Sequence, residues 1–571
     1  MFKKLILILI ALLVILLILA AIFVPRLVEN KLKDAILNNN SSEYKNSVGE
    51  VDFDLLTRTV SVKDLKVVPT DKAISDLKIR TEGKKAIFEI ALGDISVKNI
   101  KFIELIRNKK VLINEISFDD LAIRVLKNDK VKSPEKEDGK LFHPDSIVLK
   151  NLNGIEIRQI SVRNLRYQVE DAINSNTLFK LDSLNFQLDG FIVKKKDDKY
   201  FELRSLSENF ILENIKMRMP DKDMVISLAA LKINFFKKSL EIDSFQMKPT
   251  ISKVAMAAKF KYNKAITELS VKKLALVDFN FRKAIGHQGI YIDSISVDGL
   301  RVEMYKDKRK PYDMSLYKVL PHISLKKTNA IIDIKKVHVS NSYLLYEQRN
   351  PDSKLLMKVF LAKINADFYN ISSLVERRKN PMQGRLSTSF MGRAPLNVHF
   401  KFNLDDKNNN FSFAGTLGAT PFKYFDEILF PLAGLKVFAG QLDKLTFEAT
   451  ANEYQSHGTM TMLYHDLEAT VYKKGNVDEE AKILSLLINT VVHKSNPDKK
   501  GIRTVPMKYE HLPYTSIATY MVKTLLTGIA YTLSPEGMHM KEKFENRQEK
   551  KEIKQKKKEE KKDKKNKSKK N

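Results

Sequence analysis

The 571-residue chain has no cysteine, no tryptophan and only ten histidines. The absence of cysteine excludes a disulfide framework, a thiol nucleophile and any cysteine-based zinc site. The histidines are scattered, and the closest pair in the β-rich region, His457 and His465, would meet only across a hairpin, which is a poor metal-ligand spacing. No G-x-x-x-x-G-K-[ST] loop, H-E-x-x-H helix or G-x-S-x-G elbow occurs, and Gly415 and Gly418 in "GTLGAT" read as turn residues. Asp119 and Asp120 form the most tempting acid–base pair, but their place in a repeated strand pattern makes a bulge or a solvated face the better reading. No catalytic residue, metal or cofactor is therefore expected, and an enzyme would need residues gathered by the fold alone.

A strong positive charge is present. The formal net charge is +30, which favours anionic partners such as nucleic acid or anionic lipid. Lysine is spread over hairpin tips, strand faces and the C-terminus, without the basic stripe and interleaved aromatics of a nucleic-acid reader, so nucleic acid is not expected as a partner. The N-terminus points to lipid. Lys3 and Lys4 precede an apolar run from Leu5 to Val24, and about 20 helical residues just span a hydrocarbon core of roughly 30 Å. A cleaved signal peptide would have a shorter apolar core and an A-x-A site, which is missing before Pro25 and Arg26. Flanking charge leaves orientation open, because Arg26, Lys31 and Lys33 balance the two leading lysines.

From Val51 to about Tyr472 short alternating runs dominate. In "VDFDL", Val51, Phe53 and Leu55 share one strand face. Polar turns are expected at "KKKDDK", "RNPDSK" and "DDKNNN", with short helical periodicity in "YDMSLYKVL" from Tyr312 and a charged loop from Lys127 to Lys140. An octapeptide recurs at Val60 (VSVKDLKV), Ile95 (ISVKNIKF), Ile116 (ISFDDLAI), Ile160 (ISVRNLRY), Leu269 (LSVKKLAL) and Ile295 (ISVDGLRV). Its apolar residues fall at positions one, three, six and eight, so the alternation slips once, next to a residue that is usually Asp, Asn or Gly. A β-bulge does this, keeping all four on one face while the strand bends. The predicted apolar lining is thus Val60, Val62, Leu65 and Val67; Ile95, Val97 and Ile100; Ile160, Val162 and Leu165; Leu231 and Ile233, which share a face of "ALKINFF"; and Ile295, Val297 and Leu300. If about 420 residues form strands of roughly 12 residues with their turns, some 35 strands result. Too few amphipathic helices are visible to cover such a sheet, so it must curl on itself or bind something apolar.

Past Tyr472 the pattern turns helical. Asp478 is a candidate N-cap before a stripe of Ile483, Leu484, Leu487 and Val491 that ends near His493 and Lys494. A second helix is expected from Thr515 to Thr532. Thr519, Lys523 and Thr527 draw a polar stripe along it, so it should lie amphipathically on the sheet or on a membrane rather than span one. Beyond Gly537 almost nothing apolar remains, and the Lys-rich tail is expected to be disordered in isolation, leaning on anionic head groups where they are near.

Three features together resemble the AsmA-like family of bacterial envelope proteins (AsmA/TamB/YdbH-type). They are the anchor running into "VGEVDFDLLTRTVSVKDLKV" from Val48, the octapeptides, and the segment from Pro431 to Lys474 with Gly434, Gly440, Gly458, Tyr464 and Leu467. The resemblance implies a single-pass protein of the bacterial inner membrane, with residues 1–26 as anchor and 27–474 as an elongated β-rich periplasmic body. Residues 475–537 would be a C-terminal helical segment and 538–571 the tail, which is not a feature of the family. The implied fold is mainly β, an extended, curled antiparallel groove with a few short helices. The implied role is binding phospholipid acyl chains for transfer towards the outer membrane or for its integrity, with protein partners at either membrane. A non-enzymatic envelope scaffold with a dry β-sandwich body is the alternative that the strand pattern leaves open.

Overall fold

The computed structural model describes residues 43–131 except 55 and 84, then 152–195, 201–205, 209–285, 289–471 except 352 and 354, and 492–535. The expected membrane anchor at 5–24, the helix after Asp478, the Lys-rich tail, the "KKKDDK" turn beyond Lys195 and most of the 127–140 loop lie outside the described residues. Among the described residues no helix is long and apolar enough to cross a membrane. The chain divides into two compact units: residues up to Ser252 with Glu268–Arg282, and Lys253–Thr267 with Lys283 onward. Twenty-four strands are described, fewer than the 35 expected, because many run for 17 to 19 residues.

The first unit is one mainly antiparallel sheet of β1 (Tyr44–Ser47), β2 (Val51–Asp54), β3 (Thr59–Pro69), β4 (Ala86–Lys98), β5 (Lys110–Lys127), β6 (Gly154–Arg163), β7 (Arg166–Asp171), β8 (Thr177–Lys195), β9 (Phe201–Ser205), β10 (Asn209–Met219), β11 (Met224–Asn234), β12 (Ser239–Pro249) and most of β13 (Ile266–Val277). Helix α1 (Asp71–Ile79) starts at Thr70, whose hydroxyl accepts from the Ala73 N–H, and seals Leu77 against Ile87 and Leu126. Helix α2 (Phe102–Asn108) joins β4 to β5 and turns Phe102 and Leu105 toward the core. The sheet is mainly antiparallel as expected, and in this unit the exception is that β6 and β7 both run parallel to β5. The long connection after β5 permits this, because a parallel neighbour needs a crossover rather than a hairpin.

The octapeptide slip is real and forms a line. Asp64, Asp120 and Asn164 each hold the fifth octapeptide position with φ near +55°, a left-handed conformation that Asp and Asn tolerate better than most residues. Register places Gly93 between Asp64 and Asp120, and the Asn164 side-chain amide donates to the Asp120 carboxylate. Strands without the motif use the same device at Asn214 and Ser244. Two copies depart from the expectation. In "ISVKNIKF" the left-handed Asn99 follows the last residue of β4 and turns Ile100 back into the core, and in "LSVKKLAL" the left-handed residue is Ser244 on the neighbouring strand.

The second unit holds β14 (Ile290–Asp298), β15 (Arg301–Asp307), β16 (Ile332–Arg349), β17 (Leu356–Ser372), β18 (Met382–Phe390), β19 (Ala394–Phe402), β20 (Phe411–Leu417), β21 (Thr420–Pro421), β22 (Leu435–Ala451), β23 (Gln455–Val471) and β24 (Thr504–Glu510). Gly299 supplies the left-handed slip between β14 and β15, which both run parallel to β16. The "RNPDSK" and "DDKNNN" turns join β16 to β17 and β19 to β20 as expected. Gly415 is not in a turn. It lies within β20, where a Cβ would sit 2.6 Å from the Phe447 ring, so the glycine makes room for that ring. The expected helix in "YDMSLYKVL" is an irregular strap with a turn at Met314 and Ser315 instead, and α3 (Pro321–Lys327) begins only at the following proline, with Leu320 held extended before it.

Helix α4 (Asp426–Ala433) and helix α5 (Ile517–Leu533) complete the second core. Residues 475–537 therefore contain strand β24, paired with β23, as well as helix. The polar stripe of α5 faces the sheet and not the surroundings. Lys523 and Thr527 are buried while Val522 is exposed. Thr527 and Thr532 donate to carbonyls of their own helix, at Thr524 and Gly528, and Thr524 meets Ser456 at 2.6 Å, so these hydroxyls enter the interior with partners.

Val97 is 2% exposed and its neighbour Lys98 points outward to an ion pair with Glu115. Val97→Asp should cost several kcal/mol by burying an unpaired carboxylate, whereas Lys98→Ala should change stability by less than ~1 kcal/mol. Urea unfolding of both variants checks the facing, and equal losses would refute it.

Candidate functional site

Cross-strand pairing converts the separate octapeptides into continuous apolar rows. In the first unit one row runs Val62–Ile95–Phe118–Val162–Phe186–Leu212–Leu231–Ile242–Leu274, each residue directly opposite the next. A second runs Val60–Val97–Ile116–Ile160–Leu188–Phe210–Ile233–Leu240–Leu276. Beyond the left-handed line a third runs Val67–Ile90–Ile123–Tyr167–Leu181–Met217–Ile226–Met247–Leu269. The slip holds all three on one face, as the octapeptide spacing requires.

Cover over this face changes along the rows. Val60, Val62, Leu65, Ile95, Val97, Ile100, Val162 and Leu165 are buried in one core with Ile116 and Phe118, and Ile160 packs on its edge half-buried; Val67 is also half-buried against it. Phe186 still packs half-buried on that core, and from β10 onward the row residues, including Leu231 and Ile233, are half-exposed. No residue of β10–β13 belongs to a buried core cluster among the described residues. The predicted lining thus splits into a closed stretch and an open one. Sequence reasoning named Leu231 and Ile233 in the open stretch and reached Leu269, Leu274 and Leu276 through the octapeptide at Leu269, but missed Leu212 and Ile242, because the pairing that aligns those two depends on turn register and not on any local motif.

In the second unit Ile295, Val297 and Leu300 are half-exposed. Ile295 continues through Val337 and Phe368 to Gly384, and Val297 through Val339 and Ala366 to Leu386, so these rows lead from half-exposed strands toward a closed core around Phe411, Phe413 and Phe447. That unit also encloses an apolar pocket of about 110 Å³ beneath α4 and the C-terminal end of α5, lined by residues such as Phe422, Leu429, Leu442, Met462, Ile529 and Leu533. It is smaller than the ~300 Å³ at which small-molecule sites usually begin, and has room for little more than the end of one hydrocarbon chain. Burial beside it pushes the Tyr464 phenol up to about 12, and its O–H donates to the His493 carbonyl.

The candidate catalytic groups have other employment. Asp119 pairs with Arg163 and Asp120 accepts from Asn164, both at the bulge. His457 and His465 are exposed on β23. Among the described residues no group of three His, Asp or Glu side chains is placed to hold a metal ion.

One histidine missed by sequence reasoning is fully buried. The His322 ring lies against Phe402 and Phe411, with Nε2 donating to the Asn409 carbonyl at 2.9 Å and Nδ1 without a partner among the described residues. Burial holds its pKa below the usual histidine value. As pH falls below about 6.5 the unfolded chain takes up a proton that the folded chain refuses, so stability is complete above that pH and declines below it. Urea midpoints should therefore drop between about pH 7.5 and 5.5, and His322→Phe should flatten part of that dependence; an unchanged slope would refute the assignment.

No family model matches the chain, and no curated protein matches it, so its function has to be argued from these residues.

Proposed function

We propose that the chain is a non-catalytic, membrane-anchored bacterial envelope protein of AsmA-like type, which binds phospholipid acyl chains along its apolar sheet face and supports lipid transfer or outer-membrane integrity. The observation that carries this reading is the half-exposed continuation of three apolar rows through β8 and β10–β13. Apolar surface left in water costs roughly 25 cal/mol per Å², so a face of this extent is better explained by an apolar occupant than by permanent hydration. Its repeating apolar lining suits a flexible hydrocarbon chain, which needs no directional partner. Anchoring through residues 5–24 would hold the body at the inner membrane, and the +30 charge suits a surface facing anionic lipid.

A scaffold with a dry sandwich body predicts no bound lipid. Mass spectrometry of extracts from gently purified protein should find phospholipid. Leu231 and Ile233 are half-exposed, so the double variant Leu231→Asp, Ile233→Asp should lose less than ~3 kcal/mol of stability, because its carboxylates keep access to water. Its bound lipid should fall several-fold, and cells carrying only this variant should show the envelope permeability of the deletion. Lipid content and permeability at wild-type levels in a folded double variant would favour the scaffold.

A further inference from the structure

At one end of the first unit, three large aliphatic side chains stand almost free of the protein. Leu56 in the β2–β3 turn is 93% exposed, and Ile103 and Ile106 on α2 are 70% and 69% exposed. Ile103 and Ile106 are three residues apart and so share the outer face of a helix whose inner face, Phe102 and Leu105, is packed on the core. The two segments are locked together. The Ile100 N–H donates to the Arg58 carbonyl at 3.2 Å, and the Phe102 ring meets Phe53 edge-on at 5.9 Å. Asn153 fixes the far end of α2 by donating from its backbone to the Lys109 carbonyl and from its side chain to Asn108.

The charge around these side chains is mainly positive, five cations against the carboxylates of Glu104 and Asp54. Arg58, Lys101, Arg107, Lys109 and Lys110 are all exposed, and none of the five forms an ion pair among the described residues. The nearby acids are already engaged: Glu104 accepts from Asn108, and Asp54 accepts from the N–H groups of Leu56 and Thr57. We propose that Leu56 and the outer face of α2 insert into the interface of an anionic lipid bilayer, with the five cations on the head groups. Aliphatic tips ringed by unpaired cations match the layering of such a surface, apolar beneath anionic. A second copy of the chain fits less well, since three side chains fall far short of the ~1,200 Å² a stable interface needs and two such patches would repel. This contact is independent of whether the sheet face carries lipid, because it requires only a membrane surface.

The absence of cysteine makes the test direct. Single-cysteine variants of the full chain, Leu56→Cys and Ile106→Cys, would carry an environment-sensitive fluorophore, with Ile79→Cys as control. Ile79 is also exposed, on α1, at the opposite end of the eleven-residue β3 and so about 35 Å away. The protein would be reconstituted into vesicles containing about 30% phosphatidylglycerol with brominated acyl chains. Quenching at positions 56 and 106 should exceed that at 79 by about threefold or more, and should fall to the control level in phosphatidylcholine vesicles or at about 0.5 M salt. The variant K101E/R107E/K109E/K110E should lose the excess quenching too, and the salt titration decides the matter if that variant does not fold. Equal quenching at all three positions, or efficient disulfide formation between unlabelled Ile106→Cys chains, would overturn the proposal.

Discussion

A strand can keep one side chain in every two on a given face only while it stays regular, and the strands of this protein are too long and too bent for that. Their solution is a single change of phase near the middle, taken at the same row from strand to strand. Asp64, Asp120, Asn164, Asn214 and Ser244 supply it in the first unit and Gly299 and Asn341 in the second, all with positive φ. Without the slip, Leu65 and Val67 would turn outward and Lys66 inward, and every partner strand in register with them would mismatch. The apolar rows, the closed core at their start and the open face at their end all depend on that one backbone departure being repeated in line.

Stacking the slip also explains the polar residues found there. A left-handed residue interrupts the ladder and leaves backbone groups that need other partners. Asn and Asp answer this locally: the Asn185 side chain accepts from the Asn164 N–H at 2.8 Å, and the Asn341 amide donates to Asp298 at 2.7 Å. What resembled an acid pair at Asp119 and Asp120 is thus the same device, one carboxylate bracing the bulge and the other held by Arg163 on the outer face.

The octapeptide made the slip legible because its apolar spacing is local and survives in a linear reading. Other parts depended on information the local pattern does not carry. The strap from Tyr312 to Leu320 has apolar residues at helix-like intervals, but six successive residues from Met314 to Val319 are exposed and no face is sheltered; Pro321, which forces Leu320 into an extended conformation, was the available signal. The stripe of α5 is legible in the sequence as a stripe, but not that it faces the sheet. Threonine can satisfy its hydroxyl on its own helix, so Thr524 and Thr527 behave as small core residues beside Gly528, whose missing Cβ lets Met507 approach. The open face itself is a product of hairpin registers and of the lack of cover among the described residues.

The composition of the rows changes where their cover does. Over the closed stretch they are rich in β-branched residues, Val60, Val62, Ile95, Val97, Ile116 and Val162, whose restricted rotamers suit a fixed, tightly packed interior. Over the open stretch Leu, Phe and unbranched Met replace many of them: Met217 pairs with Ile226 and then Met247, and Met219 faces Met224. Methionine is flexible and polarizable and fills irregular, changing surfaces at little cost. A permanently dry sandwich would gain from rigid residues along its whole length, whereas a face that must accept chains of varying position gains from adaptable ones where the occupant sits. The shift from branched to flexible side chains on β10–β13 is what the proposed acyl-chain reading requires and what a dry sandwich would not need.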